Sequence, residues 1–339
     1  MAEVTLNQLI TINDRNLQDV DIADFLDSSP FMRTNAATVA SHDTLHKFLR
    51  YDAPVVGFRT ANAGRENVQS KDKWTQLVLE ILDGSFMVDK ALAESYRLGG
   101  APGLVNREAG RSLAAMMYKA ELQVFNGTDA SSQASNPNPS TGFDDNYLGA
   151  LGTGLGDASG FAGLPNYLAT GSVSASMVVD AGGDAVDSQT SVWIVRSGAQ
   201  DVEIVTGRSG DISIGETTVQ QHVDSGNDTY PVLYTPISAW FGLKQGSTVS
   251  SCARIANVDV SKTTGAGVLT DDLIYKALAK FGAGREPTAI YMNRAAREQL
   301  RATRTATNIS GSPAPNPDSV GGVSIIVTDG ILNSEPVLA

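Results

Sequence analysis

Residues 102–125 read PGLVNREAGRSLAAMMYKAELQVF, and this stretch decides the fold. Apolar residues recur along it at close to a 3.6-residue period, while charged and amide residues fall on the other faces, which predicts an amphipathic helix. Pro102 suits the first helical turn, and Asn126 followed by Gly127 supplies a stop. A helix of this length spans about 30–36 Å, the width of a domain. The rest of the chain is therefore expected to pack along it.

Upstream of this helix, the sequence predicts an arm and a projecting hairpin. Residues 1–53 are mixed in character, with short helical candidates at 20–26 and 41–50. The apolar residues 54–58, a polar stretch and the strand-like run 74–82 then predict a long two-stranded hairpin with a wide polar end. An isolated ribbon has little core of its own, so we expect it to be stable only when it packs on something else.

Downstream of the helix, strands and helices are mixed. After a turn-rich loop, short strands are predicted at 191–195 and 202–205, and a longer hairpin is predicted from 230–243 and 249–260. The last predicted elements are helices at 270–282 and 294–304 and strands at 288–292 and 322–327. Because these elements do not follow a strict β-α-β alternation, the predicted fold class is α+β.

Composition excludes several classes of protein. The 339 residues carry a net charge of −12, and the basic residues are scattered, which disfavours tight binding to a nucleic-acid backbone. No apolar run is long enough for a membrane span, and the first residues do not form a secretory signal. The single cysteine, Cys252, cannot form an internal disulfide, so we expect folding in a reducing cytoplasm.

Candidate catalytic and ligand-binding patterns are weak. The glycine-rich residues 149–163 (GALGTGLGDASGFAG) lack the G-x-G-x-x-G spacing of a dinucleotide loop and follow a polar loop, so we interpret them as a flexible connection. His42 and His46 have the spacing of a metal pair on a helix, but without a third ligand we expect them to be solvated. Cys252 is predicted to be a small buried residue. We therefore expect no catalytic residue, no metal and no cofactor.

The first hairpin carries a cluster of four basic residues, Arg59, Arg65, Lys71 and Lys73, and this cluster has two interpretations. Such a group is usually a solvated surface, and the alternative is a contact surface for a neighbouring subunit. Acidic residues are mixed into it at Glu66 and Asp72. The candidate contact residues in this hairpin are Arg59, Arg65, Lys71, Lys73 and Trp74.

The order of the elements and several local motifs resemble the major capsid proteins of tailed bacteriophages, which share the Hong Kong 97-type fold. The motifs cover most of the chain from about residue 88 onward. They are residues 88–93 (VDKALA), 124–127 (VFNG), 161–164 (FAGL), 191–195 (SVWIV), 240–244 (WFGLK), 254–259 (RIANVD), 291–294 (YMNR), 321–325 (GGVSI) and 329–333 (DGILN).

This resemblance implies an organisation for the whole chain. Residues 1–53 correspond to the N-terminal arm, and residues 54–83 to the E-loop, which lies over an adjacent subunit. Residues 84–190 correspond to a peripheral domain that contains the spine helix at 102–125 and the loop after it. Residues 191–339 correspond to interleaved axial and peripheral β-structure, with axial helices at about 270–282 and 294–304.

The resemblance also implies a function. The chain is expected to form hexamers and pentamers of an icosahedral head, together with a portal and with scaffolding or decoration proteins. The head encloses double-stranded DNA without sequence-specific contacts, is assembled in the host bacterial cytoplasm and involves no enzyme activity and no membrane. Two alternatives stay open, namely an encapsulin-like nanocompartment shell and, less favoured, an enzyme that uses the glycine-rich segment. Some members of the family join subunits through an E-loop lysine and an asparagine, but no motif here identifies that asparagine.

Overall fold

A computed structural model describes most of the chain. The described residues are 6, 11–13, 26–52, 56–64, 71–127, 159–168, 177–185, 188–246, 251–304, 315–335 and 337–338. Five α-helices are described, besides two short 3-10 helices at Leu164–Tyr167 and Arg208–Gly210: α1 Pro30–Thr34, α2 Lys90–Glu94, α3 Gly100–Asn126, α4 Asp271–Leu278 and α5 Arg294–Thr303. They combine with four β-sheets, which confirms the α+β prediction.

The seventeen described strands are short and are distributed along the whole chain. The first nine are β1 Thr11–Asn13, β2 Ala37–Val39, β3 Leu45–Asp52, β4 Lys71–Val78, β5 Glu80–Asp83, β6 Phe86–Asp89, β7 Val178–Asp180, β8 Gln189–Val195 and β9 Val202–Thr206. The others are β10 Asp211–Ile214, β11 Thr218–Val223, β12 Thr229–Thr235, β13 Ile237–Gln245, β14 Cys252–Asp259, β15 Ala289–Met292, β16 Ser319–Val320 and β17 Val323–Val327.

The long helix α3 is the predicted one, and it begins two residues earlier and ends one residue later than the sequence pattern indicates. Its inner face includes Leu113 and Met117, which are completely buried in the main hydrophobic core. The helix stops at Gly127, where a Cβ atom would lie 2.3 Å from the carbonyl oxygen of Gln123. Only glycine fits so close to the last helical turn, which explains the predicted stop.

Two six-stranded sheets form the body of the chain. The first has the order β1-β10-β13-β9-β2, with β5 also paired to β13, and the second has the order β16-β17-β15-β8-β14-β7. The predicted hairpin of residues 230–243 and 249–260 is wrong, because β13 and β14 belong to different sheets. Pro236 also interrupts the first of these segments between β12 and β13, since proline cannot donate a ladder hydrogen bond.

A third, smaller sheet has the order β11-β12-β6, and we call it the small sheet. It is joined to the body at a corner, because β12 runs into β13 while β6 follows directly after β5. At this corner the Gly84 N–H donates to the Ile237 carbonyl at 2.9 Å, and the Ile237 N–H donates to the Ser85 hydroxyl at 3.0 Å. A Cβ atom on Gly84 would lie 2.2 Å from the Met116 sulfur, so the corner rests closely on α3.

The ribbon, which consists of β3, β4 and the described connecting residues 56–64, projects from the body. The two strands pair in antiparallel register from Leu45 opposite Val78 to Asp52 opposite Lys71. A hairpin is therefore present, but its first strand is β3 and not residues 54–58, of which 56–58 are described outside any strand. The helix predicted at 41–50 is wrong, since cross-strand pairing with β4 prevails over a short helical pattern. Residues 20–25 of the other predicted helix lie outside the described residues.

The last helices match their predicted starts. The Thr270 hydroxyl accepts a hydrogen bond from the Leu273 N–H, and the Asn293 side chain accepts one from the Ala296 N–H, so both helices are capped. Helix α4 ends at Leu278, four residues before the predicted end at residue 282, and α5 ends one residue before its predicted end. The division of these parts into peripheral and axial domains stays a prediction.

Candidate assembly surfaces

Large apolar side chains are exposed along the ribbon. Leu49 lies directly opposite Trp74 across the two strands, so both side chains share one face. They are 41% and 68% exposed. In the connection between the strands, Val56 and Phe58 are exposed at 85% and 108%. Side chains of this size lose a large hydrophobic contribution when they stay in water, so the ribbon presents an uncovered contact surface.

The structure places only part of the basic group predicted from the sequence. Arg59 is exposed, and its guanidinium donates to the Ala63 carbonyl at 3.4 Å within the same connection. Arg65 lies outside the described residues. The backbone of Lys71 and Lys73 belongs to β4, but their side chains lie outside the described part. Of the predicted contact residues, the structure pairs Trp74 with Leu49, a residue that the sequence analysis did not single out.

A second uncovered surface lies on the small sheet. Val219 and Val223 of β11 are 58% and 52% exposed, and their spacing of four residues places them on one face of the strand. Met87 of β6 is 52% exposed on the opposite face, because it is Val88 that stands in register with Leu233, the partner of Val219. Two further exposed leucines, Leu92 and Leu98, follow along the chain. Within the described residues, β11 pairs only with β12, so it is an edge strand.

The sequence analysis did not predict the β11–β12 hairpin, although a signal was present. Val219 and Val223 stand four residues apart in 218–223 (TVQQHV), a spacing that places both on one face of a strand, and residues 224–228 (DSGND) are typical of a turn. The Asp224 carboxylate accepts from the Gly226 N–H at 2.8 Å and from the Asp228 N–H at 3.0 Å. The hairpin is thus a defined structure whose turn carries two exposed carboxylates.

A buried ion pair lies where the ribbon joins the body. The Lys244 ammonium donates to the Glu203 carboxylate at 2.9 Å and to the Ala199 carbonyl at 2.7 Å, and it lies 5.4 Å from the centre of the Phe48 ring. Burial and the charge of Lys244 lower the pKa of His46 to about 4. The prediction that both histidines are solvated is therefore wrong for His46, because strand pairing carries it into this junction, whereas His42 is exposed.

Glu121 is a buried carboxyl group on α3 that no sequence motif indicated. It accepts hydrogen bonds from the Phe31 N–H of α1 at 2.9 Å and from the Thr328 hydroxyl, so it joins three distant parts of the chain. Burial raises the pKa of Glu121 to about 7, and these hydrogen bonds only partly offset that effect. A carboxyl group in this position holds α1 and the segment after β17 against the long helix.

A second buried cluster fastens the end of the described chain to the second large sheet. Arg254 donates to the Glu335 carboxylate at 2.9 Å and to the Ser191 hydroxyl at 2.9 Å, and it lies 4.9 Å from the centre of the Trp193 ring. Both charged side chains are almost completely buried. Asn257 also binds the backbone N–H and carbonyl of Leu338. These contacts tie Glu335 and Leu338 to β8 and β14.

The described residues do not assemble a ligand-binding centre of the kinds considered above. No three His, Cys, Asp or Glu side chains among them are grouped as they would be around a metal ion. Cys252 is buried as predicted, and burial raises its pKa, so it is not poised as a thiolate. Residues 149–158 of the glycine-rich segment lie outside the described residues. The described helices include none that is long and apolar enough to cross a membrane.

A chain that buries such an extensive core and still exposes two apolar surfaces is a subunit suited to join other subunits. A comparison with protein-family models identifies the kind of assembly. The model described as "Major capsid protein GP7" matches residues 155–338, which is more than half of the chain. The chain belongs to this family, and it is a capsid shell protein.

A solved structure with a TM-score above 0.5 supports the fold. A chain of bacteriophage Epsilon15 matches with a TM-score of 0.57 at 19% identity, over 89% of this chain and 88% of that chain. The bacteriophage JBD30 capsid gives a TM-score of 0.44 at 12% identity, over 87% of this chain and 88% of that one. The SrpI encapsulin of Synechococcus elongatus PCC 7942 gives a TM-score of 0.41 at 10% identity, over 74% of this chain and 93% of that one. No curated protein sequence matches significantly.

Proposed function

We propose that this capsid protein forms the icosahedral head shell of a tailed bacteriophage and encloses double-stranded DNA. The observation that carries the proposal is the pair of apolar surfaces on projecting elements of a member of a major capsid protein family. A monomer gains nothing from such surfaces, whereas a closed shell buries each of them against a neighbouring copy. Hexamers and pentamers of the chain build the shell, without a catalytic step.

The ribbon fulfils the role of the E-loop and lies over an adjacent subunit. Its exposed Phe58 and Trp74 provide the apolar part of the contact, and Arg59, Arg65, Lys71 and Lys73 provide the charged part. The long helix α3 supports the peripheral domain, while α4 and α5 flank the axial sheet. Each subunit then contributes one projecting element to its neighbour and receives one in return.

The acidic charge of the chain is compatible with DNA packaging. Dense lysine and arginine on the inner wall bind phosphates through salt-dependent contacts, whereas an acidic wall lets the DNA slide and pack. The net charge of −12 favours the second case. The proposed partners are a portal and scaffolding or decoration proteins, and assembly takes place in the cytoplasm of the bacterial host.

Electron microscopy of the expressed protein tests the proposal directly. We expect closed icosahedral shells, and a preparation that contains only small particles under all assembly conditions would contradict the capsid proposal. Native particles are then treated with nuclease. Protected double-stranded DNA supports a phage head, whereas a protein cargo without DNA supports the encapsulin-like alternative.

A deletion tests the role of the ribbon. Removing residues 61–73 shortens the connection and the start of β4 but leaves the buried core of α3 and the two large sheets intact. We expect a folded subunit that does not form shells. Circular dichroism and gel filtration report the folded state, and normal shells from the deletion variant would contradict the E-loop assignment.

A further inference from the structure

The two uncovered surfaces complement each other. We propose that the ribbon tip of one copy, residues 56–60 with Phe58 and Arg59, binds the β11–β12 hairpin of the small sheet of the next copy. This inference rests on the proposed function, because it requires copies of the chain to lie side by side. It adds the receiving surface, which neither the family match nor the motifs identify.

Apolar contact provides the first argument. Phe58 and Val56 are exposed on the tip, and Val219 and Val223 are exposed on one face of β11. All four side chains are more than half exposed. An aromatic side chain buries about 150–250 Å² when it enters a contact, and each Å² of apolar surface contributes about 25 cal/mol. Burial of the tip against β11 therefore removes the exposed apolar side chains of both surfaces from water.

Charge provides the second argument. Residues 53–73 contain four basic and two acidic residues, although the chain as a whole is strongly acidic. Residues 215–229 contain three acidic residues, Glu216, Asp224 and Asp228, and no lysine or arginine. All three carboxylates are exposed. Opposite charges on two surfaces fix the orientation of a contact and disfavour contacts between two identical surfaces.

Geometry provides the third argument. The ribbon strands have eight residues each, so they extend about 27 Å at the usual rise per residue. Two different surfaces that bind each other produce a head-to-tail contact, and such contacts close into rings when the rotation allows it. Hexamers and pentamers are rings of this kind. A surface that pairs with itself would give only two-fold dimers.

A cysteine pair tests the contact in assembled particles. The variant carries Thr60→Cys and Val223→Cys, so the exposed Thr60 of the tip is replaced while Phe58 is kept, and the native Cys252 does not interfere because it is completely buried. After mild oxidation we expect a ladder of covalent multimers on a non-reducing denaturing gel. The matched control pairs Thr60→Cys with Tyr275→Cys, since Tyr275 is exposed at 53% on α4, away from the small sheet.

The outcomes separate this inference from the proposed function. Shells that give no ladder with the Val223 pair, or an equal ladder with the Tyr275 control, overturn the contact and leave the capsid function intact. If the unsubstituted protein forms no shells under any condition, the proposed function fails first. A ladder from the Val223 pair alone supports the contact.

A charge exchange provides an independent test. We expect Arg59→Glu to lower the yield of shells about tenfold, and Asp228→Arg to have a similar effect, because each places like charges in the contact. The double variant restores the opposite charges and is expected to recover most of the yield. The control combines Arg59→Glu with Glu286→Arg, an exposed position before β15, and is expected not to recover. Equal recovery in both double variants overturns the contact.

Discussion

Side chains in the interior of the body are buried and hydrogen-bonded within the chain, whereas large apolar side chains on the projecting surfaces remain exposed to solvent. Around α3, Leu113 and Met117 are fully buried, and the Glu121 carboxyl group has hydrogen-bond partners from two distant segments. On the ribbon, Phe58 and Trp74 remain exposed. We therefore expect the stability of the subunit and the assembly of the shell to depend on different residues. The free energy of unfolding of the subunit should respond strongly to changes in the interior and weakly to changes on the surfaces.

The largest effect is expected from Glu335→Ala. The change leaves the buried Arg254 guanidinium without its carboxylate, and breaking a buried pair in this way costs about 3–5 kcal/mol. Denaturant unfolding of the subunit measures the loss. The control is Glu94→Ala, which removes an exposed ion pair with Lys90 and should change stability by less than about 0.5 kcal/mol. Equal effects of the two substitutions would erase the distinction between interior and surface.

The second effect depends on pH and comes from Glu121. Its pKa in the folded chain, about 7, is higher than in the unfolded chain, so its contribution to stability is complete below about pH 4.5 and is lost as the pH rises through 7. A difference of this size corresponds to about 3 kcal/mol by pH 8. Glu121→Gln removes the titration and should be more stable than the unsubstituted chain at pH 8.

Unfolding curves from pH 5 to pH 8 test the Glu121 prediction. Glu108→Gln is the matched control, since it changes a carboxylate on the outer side of the same helix. We expect the control to follow the unsubstituted protein at every pH. A Glu121→Gln variant with an unchanged pH profile would show that the carboxyl group is not protonated on folding.

A smaller effect of the opposite sign is expected from His46 at the base of the ribbon. Its pKa falls to about 4 on folding, so its contribution is complete above about pH 6.5 and is lost as the pH falls toward 4. Because both ring nitrogens are buried, we expect a loss of about 2 kcal/mol by pH 5. His46→Gln should abolish this loss in acid unfolding curves. If the variant loses the same amount of stability in acid, the loss comes from a titratable group other than His46.

The smallest effect on stability, and a large one on assembly, is expected from Phe58→Ser. The side chain is fully exposed, so the free energy of unfolding should change by less than about 0.5 kcal/mol. Shell formation, measured by sedimentation and electron microscopy, should be lost. Phe58→Tyr keeps the aromatic ring and should still assemble. Normal shells from Phe58→Ser would contradict a role of this residue in assembly.

Local signals in the sequence predicted the elements that depend on local interactions. The long helix, the starts of the last two helices and the short strands follow from periodicity and from other short-range signals. The fold of the capsid family was likewise predicted from the order of the elements, and the family match confirms it.

Long-range pairing could not be predicted in the same way. The separation of β13 from β14 depends on which strands they meet, since β14 pairs with β8 and β13 with β9 and β5. Similarly, the partners of Glu121 lie 90 and 207 residues away along the chain. A single glutamate in an amphipathic helix gives no sign of such partners, so the sequence alone indicates a solvated residue.

The ion pair of Arg254 and Glu335 has a consequence for the timing of synthesis. The two residues are 81 positions apart, and a ribosome adds about 5–20 residues per second. For roughly 4–16 seconds, the nascent second sheet therefore contains a cation whose carboxylate has not yet been made. The ribbon strands, by contrast, are complete before α3 is translated. The exposed apolar ribbon of a growing chain is therefore synthesised well before the chain is long enough to complete the fold of the body.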